Sequence, residues 1–112
     1  MASLVVTEAD TALAMRSGDV AVLATPRLVA LCEEACVALV TGLPPERTTV
    51  GTRIEIDHLK ATPVGGSVTT EATLQSDDGK RLEFEVVAVD GDGDEVGRAR
   101  HWRAVVRRDR FA

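Results

Sequence analysis

The chain has few of the aromatic side chains that many domains of its size use. Of its 112 residues only 3% are aromatic, with no tyrosine, whereas 45% are hydrophobic. A core must therefore be built mainly from Val, Leu and Ala, and the hydrophobic content argues against a disordered chain. The length is typical of one domain, and we predict a single domain over residues 1–112.

An excess of positive charge, an export signal and a long apolar run are also missing. The formal net charge of -5 argues against a nucleic-acid surface, because phosphate binding needs clustered Lys and Arg. The chain does not open on a basic segment followed by an apolar stretch, and no apolar run approaches the ~20 residues of a membrane span. We expect a cytoplasmic protein with neither a membrane nor a nucleic acid as partner.

Cysteine and metal-ligand patterns are scarce as well. Cys32 and Cys36 lie four residues apart, and they are most simply free, buried thiols because no second ligand pair completes a zinc site. The run Asp90–Asp94 imitates the start of a calcium loop. It has Glu95 and His101 where that loop needs Gly and Glu, so it predicts a hairpin turn. We expect no metal and no cofactor.

The segment Ala24–Val40 predicts one helix. Thr25 is expected as its N-cap, Pro26 occupies the first helical position, and Gly42 with the prolines beyond it ends the helix. The helix is apolar nearly all round, which indicates that other elements surround it. Within that apolar surface lies Glu33, whose helical neighbours three and four residues away carry no opposite charge. Because burial of such a carboxylate is costly, Glu33 is a candidate functional residue.

Alternation of apolar and polar residues predicts strands on both sides of the helix. One strand is expected over Ser3–Ala12, and an Asp-Gly pair within Asp77–Lys80 marks a hairpin after the helix. In Arg53–His58, the alternation puts His58 at the end of the face that points toward the helix. The four strands after the helix are predicted over residues 53–58, 68–75, 82–88 and 95–107.

This order of elements predicts an α+β fold. Consecutive hairpins give an antiparallel sheet whose apolar face needs a cover, and the helix needs elements around it. A curved antiparallel β-sheet wrapped around one long central α-helix, the hot-dog architecture, satisfies both. One such sheet leaves an edge and part of the helix uncovered, so we expect a homodimer, with a tetramer left open.

Three polar side chains converge in this arrangement: Thr25, Glu33 and His58. Thr25 and Glu33 are about 12 Å apart along the helix at ~1.5 Å per residue, so they cannot touch within one chain. Residues of two subunits can line one pocket at an interface, so the set can combine subunits. An acid beside an imidazole can activate water or attack a carbonyl carbon, while a hydroxyl and the N–H groups of a helix start can hold the oxyanion.

Short motifs follow one another from about residue 20 to residue 106. They are Thr25-x7-Glu33-x-Ala35-Cys36-Val37, Val50-Gly51-Thr52, His58, Ala61-Thr62-Pro63-x-Gly65, Gly79-Lys80-Arg81-Leu82 and His101-x-Arg103-Ala104-Val105. In their order and spacing they resemble the fluoroacetyl-CoA thioesterase family of hot-dog proteins.

The resemblance implies hydrolysis of an acyl-CoA thioester by a Thr, Glu and His set. By this resemblance Glu33 would be the nucleophile or general base, His58 would orient or activate water, and Thr25 would hydrogen-bond the carbonyl or the carboxylate. Gly51 matches a glycine beside the acyl pocket, and Arg103 is assigned to substrate binding.

One family feature is missing from the segment before the helix. In the fluoroacetate-specific enzyme, aromatic residues in that segment form a lid over the acyl group. Residues 12–24 of this chain contain no Phe, Tyr or Trp. A different and larger acyl group is therefore expected.

Other interpretations stay open at this point. The same pocket can belong to a non-catalytic protein that binds acyl-CoA or a similar ligand, or to a hydratase-like enzyme acting on an acyl thioester. His101 is interpreted as a structural or surface residue. A basic group near the C-terminus either meets the phosphates of CoA or forms a solvated strand face that balances nearby acids; its members are Arg98, Arg100, Arg103, Arg107, Arg108 and Arg110.

Overall fold

The computed structural model describes residues 1–111, which form five strands, two α-helices and two short 3-10 turns. The first strand lies before both helices, and the other four follow them. The elements are β1 (Ala2–Val5), a 3-10 turn (Glu8–Asp10), α1 (Ala12–Met15), α2 (Thr25–Val37), β2 (Arg47–His58), β3 (Ser67–Asp77), β4 (Arg81–Asp90), β5 (Glu95–Arg107) and a last 3-10 turn (Arg108–Arg110).

All five strands form one antiparallel sheet in the order β1-β3-β4-β5-β2. The predicted hairpins join β3 to β4 and β4 to β5, and their turns contain Gly79 and Gly93 at positive φ of 86° and 81°. This left-handed conformation favours glycine because it carries no Cβ. β2 pairs only with β5, so the twelve residues of β2 form a long free edge of the sheet.

The helix α2 packs across one face of this sheet. Its buried side chains are Leu28, Leu31, Cys32, Ala35 and Cys36. They meet the inward row of β4, in which Leu82, Phe84, Val86 and Ala88 are all buried. The predicted hot-dog architecture is confirmed. No helix among residues 1–111 has the length and hydropathy that crossing a membrane requires.

One chain covers only one face of α2. The opposite side of the helix leaves Thr25, Pro26, Ala30 and Val37 exposed, with Glu33 among them at intermediate burial. Val37 alone keeps 49% of its surface exposed. The helix is therefore apolar nearly all round, as the sequence indicates, but this chain surrounds only half of it.

The structure differs from the sequence-based predictions near the N-terminus. The first strand ends at Val5 rather than at Ala12, because Asp10 accepts hydrogen bonds from the backbone N–H and the hydroxyl of Thr7, both at 2.8 Å, and turns the chain. Residues 12–15 then form the short helix α1, which begins at Ala12, where the predicted strand was expected to end.

The bounds of the long helix also differ. Its N-cap is Ala24, so the prediction of Thr25 as N-cap is wrong, and Thr25 is the first helical residue. A cap hydroxyl must sit outside the helix and accept from its first N–H groups. The Thr25 hydroxyl instead faces His58, in the candidate active site. The helix ends at Val37 rather than at Val40, in a turn where the Leu39 N–H donates to the Cys36 carbonyl at 3.0 Å.

Candidate active site

The Glu33 carboxylate lies between the middle of α2 and the strands β2 and β5. Its Oε2 is 3.4 Å from Nη1 of Arg103 and 3.7 Å from Nε2 of His101. The Glu33 side chain keeps 38% of its surface exposed, so the carboxylate is not buried in an apolar surround. Its charge partner, Arg103, lies on β5. The residues three and four positions away in the helix therefore do not reveal this partner.

Arg103 is held in place by the protein. It is 8% exposed, its Nε donates to the Thr49 hydroxyl at 2.9 Å, and its Nη2 donates to the Thr49 carbonyl at 3.1 Å. Nη1 is left for His101, at 3.1 Å, and for Glu33. A guanidinium fixed in this way presents its charge in one direction. The assignment of Arg103 to substrate binding stays a prediction.

His101 is buried at 1% exposure, which agrees with the structural and not with the surface interpretation of this residue. Its Nδ1 lies 2.7 Å from the Arg53 carbonyl. Burial lowers the pKa of the His101 imidazole, an effect that the hydrogen bond to the Arg53 carbonyl partly opposes. A signal was available in the sequence, because alternation puts His101 and Arg103 in succession on the apolar face of β5.

Gly51 lies directly over this cluster, at a register shift between β2 and β5. A Cβ at this position would be 2.8 Å from Glu33 Oε2, 3.1 Å from His101 Cε1 and 3.3 Å from Arg103 Nη1. The absence of a side chain therefore allows β2 to approach the carboxylate closely. That Gly51 lies beside an acyl pocket, as the family resemblance implies, stays a prediction.

Thr25 and His58 form a second cluster, at the start of α2. The Thr25 hydroxyl lies 2.8 Å from His58 Nδ1. The N–H groups of Arg27 and Leu28 donate to the Ala24 carbonyl at 3.1 and 3.0 Å. The Thr25 hydroxyl, rather than those N–H groups, can therefore reach a ligand. Burial lowers the pKa of the His58 imidazole, and its Nε2 is buried with no hydrogen-bond partner among residues 1–111.

A groove of about 360 Å³ opens beside this second cluster. It runs between the segment that precedes α2 and the chain that follows β2, and Thr25 and His58 lie in its wall. Apolar side chains supply much of the remaining wall; they include Ala12, Val20, Val22, Leu23, Leu59 and Ala61.

The two clusters do not meet within one chain. No hydrogen bond or ion pair recorded among the described residues joins Thr25 or His58 to Glu33, Arg103 or His101. The structure thus brings Thr25 to His58, and Glu33 to Arg103 and Gly51. The separation along α2 is the one that the helical rise predicts.

Several charged groups outside the two clusters form ion pairs within the chain. Lys60 Nζ lies 2.6 Å from Asp90 and 2.7 Å from Asp94, so an ammonium group lies against the acidic hairpin turn. Of the C-terminal basic group, Arg98 and Arg100 pair with carboxylates. These ion pairs favour the interpretation of the C-terminal basic group as a solvated strand face that balances nearby acids.

The fold and the arrangement of these residues define a hot-dog protein of the thioesterase type. The family described as fluoroacetyl-CoA-specific thioesterase matches residues 6–109. This chain belongs to that family. It is 44% identical, over 91 residues, to the fluoroacetyl-CoA thioesterase of Streptantibioticus cattleyicolor, and the matched part is 80% of this chain but only 65% of that protein.

Solved structures extend the similarity to the whole fold. The fluoroacetyl-CoA thioesterase FlK superposes with a TM-score of 0.89 at 37% identity, covering 97% of this chain and 85% of that one. A phenylalanine-to-alanine variant of FlK, in complex with fluoroacetate and CoA, gives 0.87 at 37% identity over 98% and 93%. A thioesterase-superfamily protein of Thermus thermophilus gives 0.88 at 25% identity over 97% and 81%.

Proposed function

We propose that this protein hydrolyses an acyl-CoA thioester, with Glu33, Thr25 and His58 as its catalytic residues. The observation that carries the proposal is the Glu33 carboxylate, which is partly exposed and is oriented by a buried Arg103 directly beneath the open backbone of Gly51. The activity named for the 44% identical relative supports the reaction.

The chemistry requires an attack on the thioester carbonyl and a proton for the departing sulfur. Glu33 either removes a proton from the water that attacks the carbonyl carbon, or attacks that carbon itself and forms an acyl anhydride that water then hydrolyses to the free acid. In both cases water supplies the proton that the departing sulfur takes up. The C–S bond breaks, and the CoA thiolate takes up a proton to leave as the thiol. When His58 Nδ1 carries a proton it donates to Thr25 Oγ1, which frees the Thr25 hydroxyl proton to bond the carbonyl oxygen as negative charge develops there.

We propose further that Glu33 of one subunit works with Thr25 and His58 of its partner in a homodimer. Within one chain the two clusters are too far apart, by about 12 Å along α2. The free edge of β2 and the exposed apolar side of α2 both lie next to Glu33, and pairing two copies across a two-fold axis would cover both.

The exposed side of α2 supplies a test of the dimer. Val37→Arg introduces a charge into the proposed interface, and we expect it to raise the dimer dissociation constant by about 10-fold or more, because an unpaired charge is costly to bury. Light scattering after size-exclusion chromatography measures the change, and thioester hydrolysis should fall with the dimer fraction.

The matched control for this test is Val5→Arg. Val5 is 62% exposed on β1, at the opposite edge of the sheet. It should leave the oligomeric state unchanged. A Val37→Arg protein that keeps the wild-type mass and activity would rule out this side of α2 as the interface.

The acyl group is proposed to be larger than fluoroacetyl. The segment before α2 offers no aromatic side chain to fill the groove of about 360 Å³ beside Thr25 and His58, and the wall of that groove is largely apolar. An apolar acyl chain of short to medium length fits this description.

A reducing cytoplasm is the proposed location, since Cys32 and Cys36 are both free.

Chromatographic measurement of free CoA from a panel of acyl-CoAs tests the proposed function. The panel includes fluoroacetyl, acetyl, medium-chain and aryl thioesters, and we expect release above the uncatalysed rate, greatest for a member larger than acetyl. Binding of the same compounds, followed by calorimetry, is measured in parallel. If panel members bind but none of them releases CoA, hydrolysis is contradicted and the non-catalytic alternative is favoured.

A further inference from the structure

The His101 imidazole is hydrogen-bonded to Arg103 beside the Glu33 carboxylate. It lies on β5, with β2 on one side and β4 on the other. Nδ1 faces the Arg53 carbonyl of β2 at 2.7 Å, Nε2 faces Arg103 Nη1 at 3.1 Å, and the ring stacks on Phe84 of β4 with centroids 6.4 Å apart. The fourth neighbour is Glu33 on α2, at 3.7 Å.

These partners define a single protonation state. A carbonyl oxygen only accepts hydrogen bonds, so Nδ1 must carry a hydrogen. A guanidinium only donates, so Nε2 must present a lone pair to Arg103. The two requirements together give a neutral imidazole in its Nδ1–H tautomer.

We propose that His101 is a positioning residue of the active site: its neutral Nε2 accepts a hydrogen bond from Arg103 Nη1 and thereby sets the distance between the guanidinium and the Glu33 carboxylate. The proposal rests on the proposed function, because it assigns the group that orients Glu33 for attack.

The distances explain why Arg103 needs this acceptor. Thr49 occupies Nε and Nη2 at 2.9 and 3.1 Å, and His101 occupies Nη1 at 3.1 Å, whereas the contact with Glu33 is longer, at 3.4 Å. Arg and carboxylate groups that are free to move form short, bidentate pairs. With Nη1 engaged by His101, Glu33 is oriented by Arg103 but is not tied up in such a pair, so an oxygen remains free for the reaction.

Protonation of His101 would abolish this arrangement. An imidazolium would turn a second cation toward the Arg103 guanidinium, and the Nε2 lone pair would be lost. Burial of the ring opposes the charged form most strongly and Arg103 opposes it as well, whereas the Arg53 carbonyl and Glu33 favour it. The neutral state is therefore the one present at neutral pH.

Three variants separate an acceptor role from a packing role. His101→Gln retains an acceptor within reach of Arg103, His101→Phe keeps a flat ring against Phe84 with no acceptor, and His101→Asn keeps a donor for the Arg53 carbonyl but is too short to reach Arg103. We expect His101→Phe and His101→Asn to lower kcat by about 10-fold with little change in KM, since misplacement of a reacting group acts on the chemical step. His101→Gln should stay near the wild-type rate.

Nitrogen-15 NMR of the imidazole rings gives a readout that does not depend on turnover. In the wild type, His101 should show a protonated Nδ1 and an unprotonated Nε2 across neutral pH. A protonated Nε2, or equal kcat values for the Gln and Phe variants, would overturn the proposal. If His101→Phe does not fold, the comparison of Asn with Gln decides the same question.

The two possible failures are distinguishable. A wild type that releases no CoA contradicts the proposed function, whatever the NMR spectrum shows. If the wild type is active but kcat does not depend on a hydrogen-bond acceptor at position 101, only the proposed role of His101 is contradicted.

Discussion

Glu33→Gln should lower kcat for thioester hydrolysis by about 10²–10⁴-fold, the range that general acid–base groups contribute. The amide has nearly the same shape and still offers an oxygen to Arg103 Nη1, which lies 3.4 Å from the carboxylate. It has lost the negative charge, so it can neither take a proton from water nor attack a carbonyl carbon. Steady-state kinetics on the best substrate of the acyl-CoA panel measures the effect.

The fold should tolerate this substitution, because Glu33 is 38% exposed and belongs to no apolar contact of the core. Glu34→Gln is the matched control: it makes the same chemical change one residue further along α2, on an exposed side chain, and should leave kcat unaltered. Wild-type turnover by the Glu33→Gln protein would remove Glu33 from the mechanism.

Gly51→Ala should lower kcat by about 10²-fold, a loss typical of a displacement of about 1 Å at the reacting groups. The added methyl group would stand 2.8 Å from Glu33 Oε2, which is closer than van der Waals contact allows. The flexible Glu33 side chain is the group that moves, because His101 and Arg103 are buried. Kinetics should therefore change far more than the melting temperature.

Gly91→Ala provides a control of the same kind. There the added Cβ would lie 2.9 Å from the Ser67 hydroxyl, again the end of a side chain, but in the turn between β4 and β5. We expect normal activity from it. Equal activity in the Gly51→Ala and Gly91→Ala proteins would contradict the proposal that the close approach of β2 to the Glu33 carboxylate matters for activity.

Local patterns in the sequence predicted β4 and β5 well, whereas β2 begins at Arg47 rather than at Arg53. The inward row of β4 and the bounds of β5 agree with the alternation of apolar residues, and both hairpin turns carry glycine where a positive φ is required. Such features depend on neighbours in the chain, so the sequence contains them directly.

The environment of Glu33 depends on residues that are distant in the chain. Arg103 and Gly51 reach it from β5 and β2 through the curvature of the sheet, and no helical spacing indicates them. The prediction of Thr25 as N-cap was wrong for a related reason. A Thr before Pro suits an N-cap, but the Thr25 hydroxyl contacts His58, and only the fold shows that the two residues are neighbours. The short N-terminal strand was missed because the Thr7–Asp10 turn outweighs the β propensity that precedes it.

The two cysteines on the inner face of α2 have a consequence for the handling of thiols. Burial raises the pKa of Cys32 to about 12 and that of Cys36 to about 11, so neither forms the thiolate that attacks disulfides. The proposed hydrolysis would release CoA, a reactive thiol, and the burial of Cys32 and Cys36 would keep both groups from forming a mixed disulfide with that product. The same two groups react only when the helix leaves the sheet, so their rate of alkylation reports how often the core opens.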